Sequence, residues 1–150
     1  MKTAAHPVHE HGLRVYWEDT DAGGVVFYAN YLKYFERART EWLRGLGFSQ
    51  EAMRQAAPRD AAMFVVSETR VRHHRPARLD DWLTITVELL RVGSASLVIA
   101  QRALRTGELL AEGEIRIGCV DPLTFRPRRI PGPVLQALPD RTASMIHATP

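Results

Sequence analysis

The chain of 150 residues has one cysteine, Cys119, so it cannot close an internal disulfide, and a reducing compartment is the expected setting. Long hydrophobic runs are missing too. The longest, Ala61 to Val66, falls far short of the roughly 18–20 apolar residues of a membrane-spanning helix. Residues Met1 to Pro7 contain no apolar stretch of the kind that directs secretion. Neither sign of charge dominates: 20 Lys and Arg stand against 17 Asp and Glu, a net charge of +3. No basic block is interleaved with aromatics, which argues against a nucleic-acid surface. The common catalytic spacings are also absent: no G-x-G-x-x-G or P-loop glycines, no G-x-S-x-G elbow, no C-x-x-C and no H-E-x-x-H. The histidines at 6, 9 and 11 lack helical spacing and further ligands, so they read as a frayed terminus and not as a metal site.

What is present is an ordinary globular composition, 45% hydrophobic and 25% charged. The organisation expected is a flexible tail over 1–11, one domain over 12–140 and a C-terminal tail over 141–150. Alternation of Leu13, Val15 and Trp17 predicts a strand from Gly12 to Asp19. Tyr31, Phe35, Ala38, Trp42 and Leu46 share one face of a long helix, stopped by Gly45 and Gly47. Ser49 caps a short helix that ends before Pro58. Strands are predicted over Ala62–Arg75, Trp82–Val92, Ser94–Arg105 and Leu109–Asp121, with a short element after the prolines that follow Pro122. The links between strands are short, so neighbours pair as antiparallel hairpins. Segregated helix and strands predict an α+β fold, a sheet curled round one helix. Apolar residues on parts of both sheet faces predict a covered outer face, for instance by a second subunit.

The segment Glu18-Asp19-Thr20-Asp21-Ala22-Gly23-Gly24-Val25-Val26-Phe27-Tyr28-Ala29-Asn30-Tyr31 carries the chemistry. Its opening looks like a calcium loop, but Gly23 and Asn30 stand where two of the ligands should be. Three acids precede two glycines that let backbone approach a ligand closely. The segment then enters the N-terminus of the most apolar helix, which offers free N–H groups and a positive dipole end. A carboxylate beside such N–H groups is a minimal hydrolytic site: the N–H groups polarise a carbonyl, and the carboxylate attacks it or activates a water. Acids that cap a turn and glycines that merely make one remain the plainer reading of the same residues.

From Tyr16 to Leu43 the sequence resembles the hotdog-fold acyl-CoA thioesterases, within them the 4-hydroxybenzoyl-CoA thioesterase family. The strings Asp19-Thr20-Asp21-Ala22-Gly23-Gly24-Val25-Val26 and Glu36-Arg37-Ala38-Arg39-Thr40-Glu41 are most similar to the bacterial thioesterases associated with the Tol–Pal system. The resemblance extends through Pro76–Leu83 and Cys119–Pro122. It implies a five-stranded antiparallel sheet wrapped around one long central helix, and hydrolysis of acyl-CoA to a free acid and coenzyme A. It implies Asp21 as the catalytic carboxylate and the Tyr28 backbone N–H as the donor to the thioester carbonyl. Many close relatives have His where this chain has Tyr28, so only the backbone role carries over. Gly24, Val25, Phe27, Asn30 and Arg91 are the expected substrate-binding residues. No metal is implied, and no cofactor beyond the coenzyme A of the substrate. A homodimer or homotetramer in the cytoplasm, or peripheral at the inner membrane, is the expected state, with acyl carrier protein a further possible partner.

Other residues have plainer readings. Asp80 and Asp81 read as a turn. Arg91, Arg126, Arg128 and Arg129 could meet coenzyme A phosphates or simply be exposed. His73 and His74 could enter the cleft from a strand, though partly exposed strand histidines are commoner, and Glu36 with Arg39 reads as a structural pair on the helix. Three rival functions stay open: an acyl-CoA or acyl-carrier-protein binding module with little turnover, a dehydratase, and a structural partner of an envelope complex. The absence of histidine from Tyr31–Leu46 counts against the dehydratase.

Overall fold

A computed structural model describes residues 7–139. Strand β1 (Val8–Arg14) leads through a 3-10 turn (Trp17–Asp19) and a loop to helix α1 (Asn30–Gly45). Helix α2 (Gln50–Arg54) and strands β2 (Met63–His73), β3 (Trp82–Val92), β4 (Ser96–Arg105) and β5 (Glu108–Val120) follow, then helix α3 (Gly132–Ala137). The strands form one sheet of order β1-β3-β4-β5-β2, antiparallel throughout. This is the hotdog arrangement that the resemblance implies.

The helix sits where its apolar face requires. Tyr31, Tyr34, Phe35, Ala38, Trp42 and Leu43 are buried, on steps of three and four that line one side of a 3.6-residue spiral. They pack on Leu83, Ile85, Val87 and Leu89 of β3, Leu97 and Ile99 of β4, and Ile115 and Ile117 of β5. Each such Leu, Ile or Phe contributes about 1.5–3 kcal/mol through the apolar area it removes from water. Gly113 of β5 lies under this contact: a β-carbon there would stand 3.2 Å from the Phe35 ring and 2.9 Å from the Arg70 carbonyl oxygen. Its lack of a side chain lets α1 and β2 approach β5.

The first strand differs from expectation. It runs from Val8 to Arg14, so residues 8–11 belong to the sheet and not to a tail. His9 and His11 alternate with Leu13 on the inner face, opposite Val87, Ile85 and Leu83. The period of two was there, carried by histidines that a hydrophobic pattern passes over. Downstream, Trp17 is exposed, because the Asp19 carboxylate accepts the Tyr16 N–H (2.8 Å) and closes a turn there. His6 and the tail over 141–150 lie outside the described residues. The other elements fall within a few residues of expectation, and Ser49 Oγ accepts the Ala52 N–H (3.1 Å) as the cap of α2.

Candidate active site

The loop between β1 and α1 is built on Asp19. Its carbonyl oxygen accepts both the Phe27 N–H (2.9 Å) and the Asn30 side-chain amide (2.8 Å), which ties the acid-rich turn to the helix start. Thr20 pairs with Val26 and Val25 with Arg78 as isolated bridges, and the Val26 N–H donates to Ala77 (2.9 Å). Between them Asp21 to Val25 is a tight hairpin, the Asp21 N–H donating to Val25 and the Gly24 N–H to Asp21, both at 2.9 Å. Gly24 has a φ of +82°, a conformation that a side chain rarely adopts. The Asp21 Oδ1 accepts the Gly23 N–H at 2.8 Å, with the Val25 N–H at 3.5 Å. Its Oδ2 has no hydrogen-bond partner among the described residues. The carboxylate is thus held by one oxygen and open at the other.

Tyr28 lies seven residues on from Asp21, just before helix α1 begins at Asn30. The Asn30, Tyr31 and Leu32 N–H groups donate back to Phe27, Tyr28 and Ala29. The Tyr28 N–H has no acceptor among the described residues, as expected where a helix start leaves its first donors unpaired. The Tyr28 side chain is 67% exposed and forms one wall of a cleft of about 270 Å³, with Tyr31, His73 and Arg75 among the other lining residues. His73 stands edge-on to Tyr31 (ring centroids 5.2 Å apart) and to Tyr28 (6.3 Å). It is exposed at the end of β2, as expected, and it also lines the cleft, the other reading of it. His74 also lines the cleft, with its Nε2 2.8 Å from Glu112. The buried Tyr31 hydroxyl accepts the Ala77 N–H at 3.2 Å, and burial raises its pKa above the ordinary tyrosine value.

Of the residues expected at the site, Asp21, Gly24, Val25, Phe27, Tyr28 and Asn30 share this loop and helix start. The Asn30 amide is engaged by Asp19, so it holds the loop rather than facing outward. Arg91 is not brought here. It lies near the far end of β3, nine residues from Trp82 and thus about 30 Å along the strand at 3.3 Å per residue. Arg128 is engaged by the Pro58 and Ala61 carbonyls and by Asp121 (2.8 Å), in the loop after β5. Near the cleft the basic groups are Arg75, paired with Glu108 at 3.1 Å, and Arg78, beside the loop. Arg75 was not singled out for the site by spacing, because it follows the end of β2 and comes to the helix start only through the fold of that strand. Asp80, with a φ of +73°, and Asp81, which accepts Arg105 (2.7 Å) and the Arg78 N–H (2.8 Å), form the turn expected. Glu36 and Arg39 do not pair: Glu36 accepts the Thr40 hydroxyl (2.6 Å) and Arg39 donates to Gln101 (2.9 Å).

The Thioesterase superfamily model matches residues 23–112. The acyl-CoA thioester hydrolase YbgC of Escherichia coli is 47% identical over 79% of this chain and 87% of its own. The acyl-CoA thioesterase YbgC of Haemophilus influenzae is 39% identical over 83% of this chain and 90% of its own. Among solved structures, a probable thioesterase from Bartonella henselae superposes with a TM-score of 0.80 at 34% identity, covering 83% of this chain and 100% of that one.

Proposed function

Because the chain belongs to the thioesterase superfamily, we propose that it hydrolyses acyl-CoA thioesters at the loop and helix start that carry Asp21 and Tyr28. It is an acyl-CoA thioesterase, as its relatives from Escherichia coli and Haemophilus influenzae are named. The observation that carries the assignment of residues is that the Tyr28 N–H, two residues before a 16-residue helix, has no acceptor among the described residues, and that Tyr28 lines a cleft. Such a donor needs an acceptor, and a thioester carbonyl oxygen fits. Negative charge that develops on that oxygen during reaction is stabilised by the N–H and by the helix dipole.

The free Asp21 oxygen then has two routes. As a nucleophile it attacks the carbonyl carbon, the C–S bond breaks, coenzyme A leaves as a thiolate, and water hydrolyses the resulting anhydride. As a general base it takes a proton from a water that attacks the same carbon, and the thiolate leaves with the acid formed directly. A single turnover in oxygen-labelled water separates them where water opens the anhydride at the Asp21 carbonyl: the label then enters Asp21 and the released acid carries an unlabelled oxygen from Asp21, whereas the general-base route puts the label in the acid at once. Neither route calls on a metal or a cofactor. Gly24, Val25 and Phe27 shape the approach, with Arg75 and Arg78 the cations beside it for the coenzyme A phosphates. The open edge strand β2 supports a homodimer or a dimer of dimers.

The test is release of free coenzyme A, followed with a thiol reagent, from a panel of short, long and aromatic acyl-CoAs. Steady turnover of at least one member is the expected result. Tight binding with no thiol released would make the chain an acyl-CoA binding module. Among the described residues no helix is long and apolar enough to cross a membrane.

A further inference from the structure

The Tyr28 cleft is the first of three hollows that succeed one another along one side of α1. The second, about 250 Å³, is lined by Leu32, Phe35 and Arg39 of α1 and by Val66, Thr69 and Ile115. The third, about 130 Å³, shares Arg39 and Val66 with the second and reaches Trp42 and Phe64. On the helix, Tyr28, Leu32, Phe35 and Arg39 follow at steps of four, three and four, so they share a face. Across from them the β2 register puts His73, Val71, Thr69, Val66 and Phe64 on one side of the sheet, opposite Ala111, Gly113, Ile115, Ile117 and Cys119 of β5. The bulge between Val66 and Glu68 keeps Val66 on the same side as Thr69. Leu32 and Val66 are 46% and 47% exposed, so the groove has apolar walls and an open top.

Beyond the Tyr28 cleft, which Arg75 lines, Glu36 lines the third hollow, and the cation among the described lining residues of the second and third hollows is Arg39. Its guanidinium donates to Gln101 Oε1 at 2.9 Å, and Gln101 is itself fully buried and fixed by donating to the Phe35 (3.0 Å) and Thr86 (3.3 Å) carbonyls. No carboxylate lies within ion-pair distance of Arg39 among the described residues, and Glu36 is turned to Thr40. Burial lowers the Arg39 pKa below the ordinary arginine value, the mark of a charge deprived of water without a full partner. A neutral glutamine satisfies one of five N–H donors, and a fork of this kind matches a carboxylate.

We propose that the groove holds the acyl chain of the substrate and that the Arg39 guanidinium binds a carboxylate at the chain's distal end. The inference rests on the thioester carbonyl lying at the Tyr28 N–H. Tyr28 and Arg39 are eleven residues apart, about 16 Å along the helix axis, and a long side chain leans back about one turn, which leaves about 10 Å between the two groups. That distance suits a medium-length diacid carried as its mono-CoA thioester.

The experiment compares kcat/KM for adipoyl-CoA against hexanoyl-CoA, and for suberoyl-CoA against octanoyl-CoA, by coenzyme A release. The wild-type protein is expected to favour the diacid thioester in at least one pair by about tenfold or more, mainly through KM, the scale of a hydrogen bond to a charged group. In Arg39→Gln that ratio is expected to fall by a similar factor, while Arg39→Lys retains part of it. Wild-type preference for the methyl-ended member in both pairs overturns the proposal and leaves the thioesterase reading standing. So does an unchanged ratio in folded Arg39→Gln, whether or not light scattering shows that the variant has lost a subunit contact. The wild-type comparison stands even if a variant fails to fold; release of coenzyme A from none of the four thioesters overturns this proposal alone, and the thioesterase reading falls only if the wider panel of short, long and aromatic acyl-CoAs also releases none.

Discussion

At Tyr28 the backbone and the side chain can be tested apart. The N–H is the proposed carbonyl donor, whereas the phenol is exposed beside Phe27 and His73. Tyr28→Phe is therefore expected to keep most of the activity. Tyr28→Pro, which has no N–H, is expected to lose about 10²–10³ in rate, the usual cost of an oxyanion donor. Circular dichroism checks that the proline variant is folded, and a folded but inactive Tyr28→Phe would transfer the role to the phenol. His9 supports a different prediction. Its Nε2 is buried without a hydrogen-bond partner among the described residues, and burial, then His11, hold its pKa below the ordinary 6.5, against smaller pulls from Glu41 and Glu10. As pH falls below 6.5 the unfolded chain takes up a proton that the folded chain still refuses, so stability declines until the folded pKa is passed. Urea unfolding between pH 7.5 and pH 5, values set around that ordinary pKa, should show a shallower decline for His9→Leu than for the wild type.

Among the elements, the β4–β5 hairpin turns at Thr106 and Gly107, with φ of +49° and +83°. Two residues at positive φ suit a hairpin, but a β-branched threonine is strained there and asparagine is not. Thr106→Asn is expected to raise Tm by about 2–4 °C, the shift that about 1 kcal/mol gives a chain of this size. An unchanged or lower Tm in a thermal melt would count against that strain. Helix α1 and strand β3 were legible in the sequence because their buried positions are occupied by Phe, Trp, Leu, Ile and Val at clean periods of 3.6 and 2. Strand β1 was not, because His9 and His11 occupy the inner positions and its partner β3 lies some seventy residues away. The loop from Glu18 to Tyr31 was legible as a unit, since local residues make its hairpin and helix start. The facing of His73 was not, because it depends on the β2 register and on the bulge near Val66, neither of which is local. The same limit hid the Arg39–Gln101 contact, which spans two elements.

For the whole molecule, α1 covers the middle of the sheet, with more contact to β3 than to β4, and leaves the inner side of β2 open. An open edge strand with apolar Val66 half exposed is the place where a second copy would continue the sheet. Light scattering is expected to give a multiple of the 16.9 kDa chain, and a fully active monomer would contradict that. The central claim is that this fold presents Asp21, held by one oxygen, to a thioester fixed at the helix start. The most direct measurement is thiol release by Asp21→Asn, nearly isosteric with the wild type, under conditions where both are folded and of the same oligomeric state. The account predicts a loss of kcat of at least about a hundredfold, the scale of losing a general base or a nucleophile, with Asp19→Asn costing far less. Equal turnover by Asp21→Asn and the wild type would contradict it.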